Sequence, residues 1–127
     1  MWVKSNMKIA FAAIVKGIDE EAEHLSTLLA NVRPHVDGAF ITITQPNEKV
    51  KEVADLYNCT ISEFEWCKDF SAARNYNFAQ VPEEYDYILW ADADDTFTGL
   101  EDLKGYMEEN KADAYAMYYH YEMDKYG

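Results

Sequence analysis

The residues with the most chemical potential stand together at Asp92-Ala93-Asp94-Asp95, directly after the apolar run Tyr87-Ile88-Leu89-Trp90-Ala91. Three carboxylates within four residues repel one another unless a cation joins them. Carboxylate oxygens suit Mg2+ or Mn2+, which keep several waters and bind through one or two protein carboxylates plus the phosphates of a ligand. On an extended segment Asp92 and Asp94 point the same way, so one can hold the metal while the other reaches a neighbouring group of the same ligand. The competing reading is a solvated acidic turn capping the helix near Leu100, because acidic loops are common in a chain this acidic.

Arg74 and Asn75 form a second candidate group, near the start of a helix that opens at Asp69-Phe70-Ser71. A planar guanidinium there can hydrogen-bond a base carbonyl or pair with phosphate. Its bland alternative is a surface ion pair with Asp69 or a nearby Glu, and Asp69 itself reads equally as the helix cap. His24, His35 and His120 make no metal-ligand constellation, and His24 and His35 read as surface residues. Cys59 and Cys67 have seven residues between them, which fits no zinc or redox signature, so both read as reduced, partly buried thiols.

These groups need a scaffold. Met7 to Val15 is a short, nearly continuous apolar run, the pattern of a strand covered on both faces. The period then changes: Asp19 is placed as an N-cap, acids at Glu20, Glu21 and Glu23 favour the first turn, and Leu25, Leu28, Leu29 and Val32 repeat at helical spacing until Pro34. Ala39 to Thr44 is a second strand, followed after Pro46-Asn47 by a helix whose buried stripe is Val50, Val53, Ala54 and Tyr57. Cys59 to Trp66 reads as a third strand and Ala72 to Gln80 as the body of a third helix, ending at Pro82. Tyr87 to Ala91 carries the clearest pattern of a buried strand in the chain. Leu100, Leu103 and Met107 mark one more short helix, and Ala112 to Met123 a tyrosine-rich final strand. Alternating strands and helices predict right-handed crossovers and an α/β fold with a mostly parallel sheet and helices on both faces. In such a sheet, ligands bind outside the carboxyl ends of the strands, where the strand order reverses. The acidic segment lies at one of those ends.

At 127 residues the chain predicts one domain, over 7–127, with residues 1–6 as a loose leader and Met7 as a possible start. Eleven Lys and Arg against 24 Asp and Glu give a net charge of −13, a field that repels phosphate polymers and anionic membrane surfaces. Binding of nucleic acid through a basic face is thereby excluded. The apolar run Ile9 to Val15 is far shorter than the ~20 residues needed to span a bilayer, so a cytoplasmic protein with no membrane span is expected.

Over nearly its whole length the chain resembles glycosyltransferase family 2, nucleotide-sugar-dependent enzymes of the GT-A (Rossmann-like) fold, here in a truncated or minimal form. The resemblance rests on Ile14-Val15-Lys16 with acids at Asp19 to Glu21, on Phe64-Glu65-Trp66 leading into Asp69-Phe70-Ser71-Ala72-Ala73-Arg74-Asn75, and on Ile88-Leu89-Trp90-Ala91-Asp92-Ala93-Asp94-Asp95. It implies that ribose and diphosphate lie across the ends of the first and fourth strands. Asp94 is then the direct ligand of Mn2+ or Mg2+, and Asp92 serves the ribose or the metal and its waters. Asp95, the third acid, is placed at the sugar or metal, and Arg74 on the nucleobase side of the donor pocket. Backbone groups of Val15, Lys16 and Gly17 would meet uracil. Many members carry an aspartate at the end of the second strand that reads the base. Thr44-Gln45-Pro46-Asn47 stands there instead, which transfers that contact to the amide of Gln45 or loses it.

Family members also extend well beyond this length, and their later segment brings the acceptor site and the general base. Asp124, with Glu122 beside it, is the remaining candidate base, a role typically worth 10²–10⁴-fold. Tyr115, Tyr118, Tyr119 and Tyr121 offer aromatic faces to a sugar, or simply core and edge packing. The expected activity is transfer of a sugar from a nucleotide-sugar, UDP-linked, to a hydroxyl of an unidentified acceptor, with slow donor hydrolysis where water substitutes. The alternative is a non-catalytic nucleotide-sugar-binding module. A Mg2+-binding receiver domain fits badly, because it needs an acidic pair at the end of the first strand and a lysine on a late one. A homo-oligomer that covers an exposed sheet edge with a second copy is also expected.

Overall fold

The computed structural model describes residues 8–93, 97 and 99–103. Its elements are β1 (Ile9–Val15), α1 (Asp19–Val32), a 3-10 turn (Arg33–His35), β2 (Gly38–Ile43), α2 (Glu48–Leu56), β3 (Thr60–Glu63), α3 (Phe70–Ala79), β4 (Tyr87–Asp92) and a second 3-10 turn (Leu100–Asp102). The four strands form one all-parallel sheet in the order β3-β2-β1-β4. The chain is therefore α/β with a minimal Rossmann-like sheet, as the alternation of apolar periods requires.

Period-two alternation divides the sheet into two faces. On one, Ile9, Phe11, Ala13 and Val15 of β1 and Ala39, Ile41 and Ile43 of β2 join Leu25, Leu28, Leu29, Val32, Val50 and Ala54 in a single core. Each such leucine, fully buried, contributes about 1.5–3 kcal/mol from area removed from water. The other face of β1 carries Ala10 and Ala12, both wholly buried, and such small side chains let α3 pack closely on β1 and β2. The polar member of that contact is Asn77, 1 % exposed, whose amide donates to the Phe40 carbonyl at 3.1 Å and the Thr42 hydroxyl at 2.9 Å. The helices α1 and α2 lie together on one face while the chain steps from β1 to β3. On the return step to β4, α3 takes the opposite face, as crossovers of constant hand demand when the direction reverses.

Three details differ from the sequence reading. Asp19 is not the N-cap of α1: Ile18 holds that position, without a side-chain cap, and Asp19 is the first helical residue. Its carboxylate instead accepts from the Asn47 amide at 3.0 Å and pairs with Lys49 at 3.6 Å, which together hold its pKa below the usual carboxylate value. Nor is β4 a buried strand: only Ala91 of its six residues is buried. Among the described residues it is an edge strand, Trp90 is 53 % exposed, and the buried strands are β1 and β2. Continuous apolarity marks a strand but does not say how many neighbours it has.

The Cys59–Trp66 strand contracts to Thr60–Glu63, and Pro34 falls in the 3-10 turn that closes α1. Cys59 and Cys67 are free thiols, Cys59 partly buried and Cys67 exposed. No helix among the described residues is long and apolar enough to cross a membrane. The proposed leader, Met107 and the tyrosine-rich strand of 112–123 lie outside the described residues.

Candidate functional site

In this strand order the chain leaves β1 toward β2 and later returns to β1's other side as β4, so the reversal point lies between β1 and β4. Ile14 and Asp92 are direct register partners there. The crevice that α/β sheets use for ligands thus opens between the turn after β1 and the segment after β4.

The turn after β1 is tightly built. The Lys16 carbonyl accepts from the Ile18 N–H at 2.8 Å, and the Val15 carbonyl from the Thr44 N–H at 3.0 Å. The Gly17 carbonyl accepts from the side-chain amide of Gln45 at 2.9 Å. Gln45 therefore uses its Nε2 to tie the turn after β2 to the turn after β1. Lys16 is exposed beside it and Val15 is buried. Asn47 starts α2 by accepting from the Val50 N–H at 2.9 Å.

Across the crevice, the loop from β3 into α3 is pinned by Phe64 on Tyr76, with ring centroids 5.0 Å apart. Lys68 has φ 62°, the left-handed region, which a lysine enters only at a steric cost and which turns the chain into Asp69. Asp69 is the N-cap of α3, accepting from the Ala72 N–H at 3.1 Å. With that carboxylate occupied, Arg74 looks elsewhere. Its guanidinium stands 3.9 Å from Asp92 and is flanked by the rings of Trp90, at 4.1 Å, and Phe70, at 5.2 Å. Trp66 meets Phe70 edge-on at 6.1 Å and extends this aromatic ridge. The Arg74 side chain is 21 % exposed and that of Asp92 61 % exposed, so the cation is sheltered and the carboxylate faces outward.

Two sequence blocks therefore meet, the one ending at Arg74-Asn75 and the one reaching Asp92. The surface pairing of Arg74 with Asp69 or a glutamate is replaced by this contact with Asp92, and Asn75 is exposed. Sequence reasoning missed Phe70 and Trp90 as neighbours of Arg74. Phe70 at i−4 on the same helix was the available signal, whereas the approach of Trp90 depends on strand order. It also missed Asn31, whose amide both donates to the Phe97 carbonyl at 3.1 Å and accepts from the Phe97 N–H at 2.7 Å. This two-way bond fixes the chain just past the acidic segment against α1, while Ala93, 5 % exposed, anchors its start.

Asp94, Asp95, Glu122, Asp124 and His120 lie outside the described residues, as do Tyr115, Tyr118, Tyr119 and Tyr121. Among the described residues no three His, Cys, Asp or Glu side chains stand together as a metal-binding group. The described part of the site offers a divalent ion one outward-facing carboxylate, Asp92. A lone carboxylate is a donor of the type that Mg2+ or Mn2+ takes alongside ligand phosphates.

No protein-family model matches the chain. Over 100 residues, 79 % of its length, it is 26 % identical to a TPR repeat-containing protein of Synechococcus elongatus, and it spans 25 % of that protein. Tetratricopeptide repeats are helical hairpins of about 34 residues. The described residues form a parallel sheet with crossover helices instead, so the repeat in that name carries no fold to this chain.

Proposed function

We propose that this chain is the donor-binding core of a metal-dependent glycosyltransferase similar to family 2, taking a nucleotide-sugar, UDP-linked, and passing its sugar to a hydroxyl acceptor. The observation that carries the reading is the meeting of Arg74 with Asp92, 3.9 Å apart, at the point where the strand order reverses. The resemblance rests on sequence blocks distant in the chain, and a shared site is the reason such blocks would occur together.

In this reading Asp92 faces the ribose or the metal, and Asp94 is the direct metal ligand. Asp95 contacts the sugar or metal, and Asp124 serves as general base. Val15, Lys16 and Gln45 border the base end of the donor, with the turn already fixed by the Gln45–Gly17 bond. A bound Mn2+ or Mg2+ supplies neutralisation of charge on the departing nucleoside diphosphate, worth several kcal/mol. Arg74, which the resemblance assigns to the nucleobase side, pairs with the diphosphate in this reading instead, because its guanidinium lies 3.9 Å from Asp92, and the aromatic rings beside it keep water from one flank. Because the chain spans a quarter of the relative above, acceptor recognition belongs to the proposal as much as donor binding does.

Titration of UDP and UDP-sugars with and without Mn2+ tests the reading. Metal-dependent UDP binding that disappears in Asp94→Ala is the expected result. Binding indifferent to metal, or none at all, removes the family assignment. UDP release over hours then separates a transferase with residual hydrolysis from a binding module: a module binds the donor and releases no UDP.

A further inference from the structure

The contact between Arg74 and Asp92 has an unusual balance. The separation of 3.9 Å is an ion pair longer than a hydrogen bond, and the Asp92 side chain is 61 % exposed. The guanidinium, by contrast, is sheltered between the Phe70 and Trp90 rings. Ring faces stabilise its charge but accept no strong hydrogen bonds, so its five N–H donors are suited to a better anion than the one they meet. The chain carries −13 overall, which opposes the approach of any diphosphate unless a cation waits at the site.

Resting on the donor site proposed above, we infer that Arg74 is the resident counter-cation of Asp92 and is exchanged for a divalent ion when a diphosphate arrives. One ion pair, carboxylate with guanidinium, becomes two: carboxylate with metal and guanidinium with phosphate. A metal ion alone must compete with Arg74 for Asp92. A diphosphate alone meets the carboxylate that Arg74 is still holding. Each therefore improves the binding of the other, and the site selects the metal–diphosphate unit over either component. Such coupling is reciprocal by linkage. Phe70 and Trp90 are positioning residues in this scheme, because they keep the cation within reach of both anions.

The test is equilibrium dialysis of Mn2+ at matched free-metal concentration, with and without inorganic pyrophosphate, on the parent chain and on Arg74→Gln. The parent is expected to retain Mn2+ weakly alone and about tenfold better with pyrophosphate. Arg74→Gln should bind Mn2+ alone up to about fivefold more tightly, the most a half-exposed pair withholds, and lose most of the pyrophosphate enhancement. Unchanged metal affinity together with unchanged enhancement in Arg74→Gln overturns the exchange while leaving the donor site standing. A parent that retains no Mn2+ even with pyrophosphate removes the donor site and the exchange together. Arg74→Lys guards against a folding defect, because it keeps the charge without the planar fork. It should match the parent with metal alone and keep only part of the enhancement, and behaviour identical to Arg74→Gln with metal alone counts against the counter-cation role.

Discussion

A Cβ added to Gly17 would stand 1.8 Å from the backbone carbonyl oxygen of Gln45, so the turns after β1 and β2 approach as closely as only a glycine allows. The Gln45 amide seals the approach by donating to the Gly17 carbonyl at 2.9 Å. Gly17→Ala must push the two turns apart, with an expected loss of about 1–3 kcal/mol, the usual cost of overpacking. Gln45→Ala removes one hydrogen bond and should cost about 1 kcal/mol. Urea denaturation of the two variants checks the order: a Gly17→Ala as stable as the parent would show that the turns are not in contact.

Asn77 is the polar residue that locks α3 to the sheet. Its amide serves the Phe40 carbonyl and the Thr42 hydroxyl, and Thr42 in turn bonds Ser62 at 2.8 Å, so one network joins α3, β2 and β3. Asn77→Leu leaves the Phe40 carbonyl without that donor in a buried place, at a cost of about 1–3 kcal/mol. Asn77→Asp should be worse still, because a carboxylate has no donor for the Phe40 carbonyl and brings a charge into a place that is 1 % exposed. Thermal melts of the two variants, read against the parent, order these effects. An Asn77→Leu that melts with the parent would mean that α3 is held by apolar contact alone.

The fold was legible where one local pattern sufficed. Leu25, Leu28, Leu29 and Val32 form the buried stripe of α1 because helical spacing leaves them no other face to share. The continuous apolar run of β1 is buried on both faces at every residue but Ile14, which is partly buried, as its lack of alternation required. What failed depended on partners distant in the chain. Asp19 has the right residue type for a cap, but Asn47 and Lys49 lie close enough to engage its carboxylate in the folded chain. Trp90 belongs to an apolar run, yet in the described sheet β4 has only β1 beside it. In the same way, nothing within α3 tells Arg74 that β4 will bring Asp92 to it. The site's residue types were readable in one dimension, and their pairing was not.

The two thiols should report the difference between a partly buried and an exposed position. Burial pushes the Cys59 thiol up to about 11, so at pH 8 about one Cys59 in a thousand is ionised. Cys67 is exposed and open to reagent. Alkylation of the native chain at pH 8 should label Cys67 first and Cys59 only slowly, with mass spectrometry of the digested product as the measurement. Stability carries the same signature. The folded pKa of Cys59 is above its unfolded value of 9.0, so its contribution is fully present below pH 9 and is lost as pH rises toward about 11. Equal labelling of both cysteines under native conditions would contradict the burial of Cys59.

Asn31 reaches the candidate site through the chain beyond the acidic segment. Its side chain exchanges two hydrogen bonds with the backbone of Phe97, at 3.1 and 2.7 Å, while Phe97 packs beside the core beneath α1. Asn31→Ala removes both bonds, at an expected cost of about 1–3 kcal/mol. It leaves the sheet, Arg74 and Asp92 as they are. If the bond positions the acids after β4 for a ligand, Asn31→Ala should weaken the proposed Mn2+-dependent UDP binding by a larger factor than a variant of equal stability loss at Arg33, whose guanidinium bonds the Tyr57 and Val36 carbonyls and touches neither Arg74 nor Asp92. Isothermal titration of the two variants at a temperature where both are folded makes the comparison. Equal losses of affinity would reduce Asn31 to a purely structural tie.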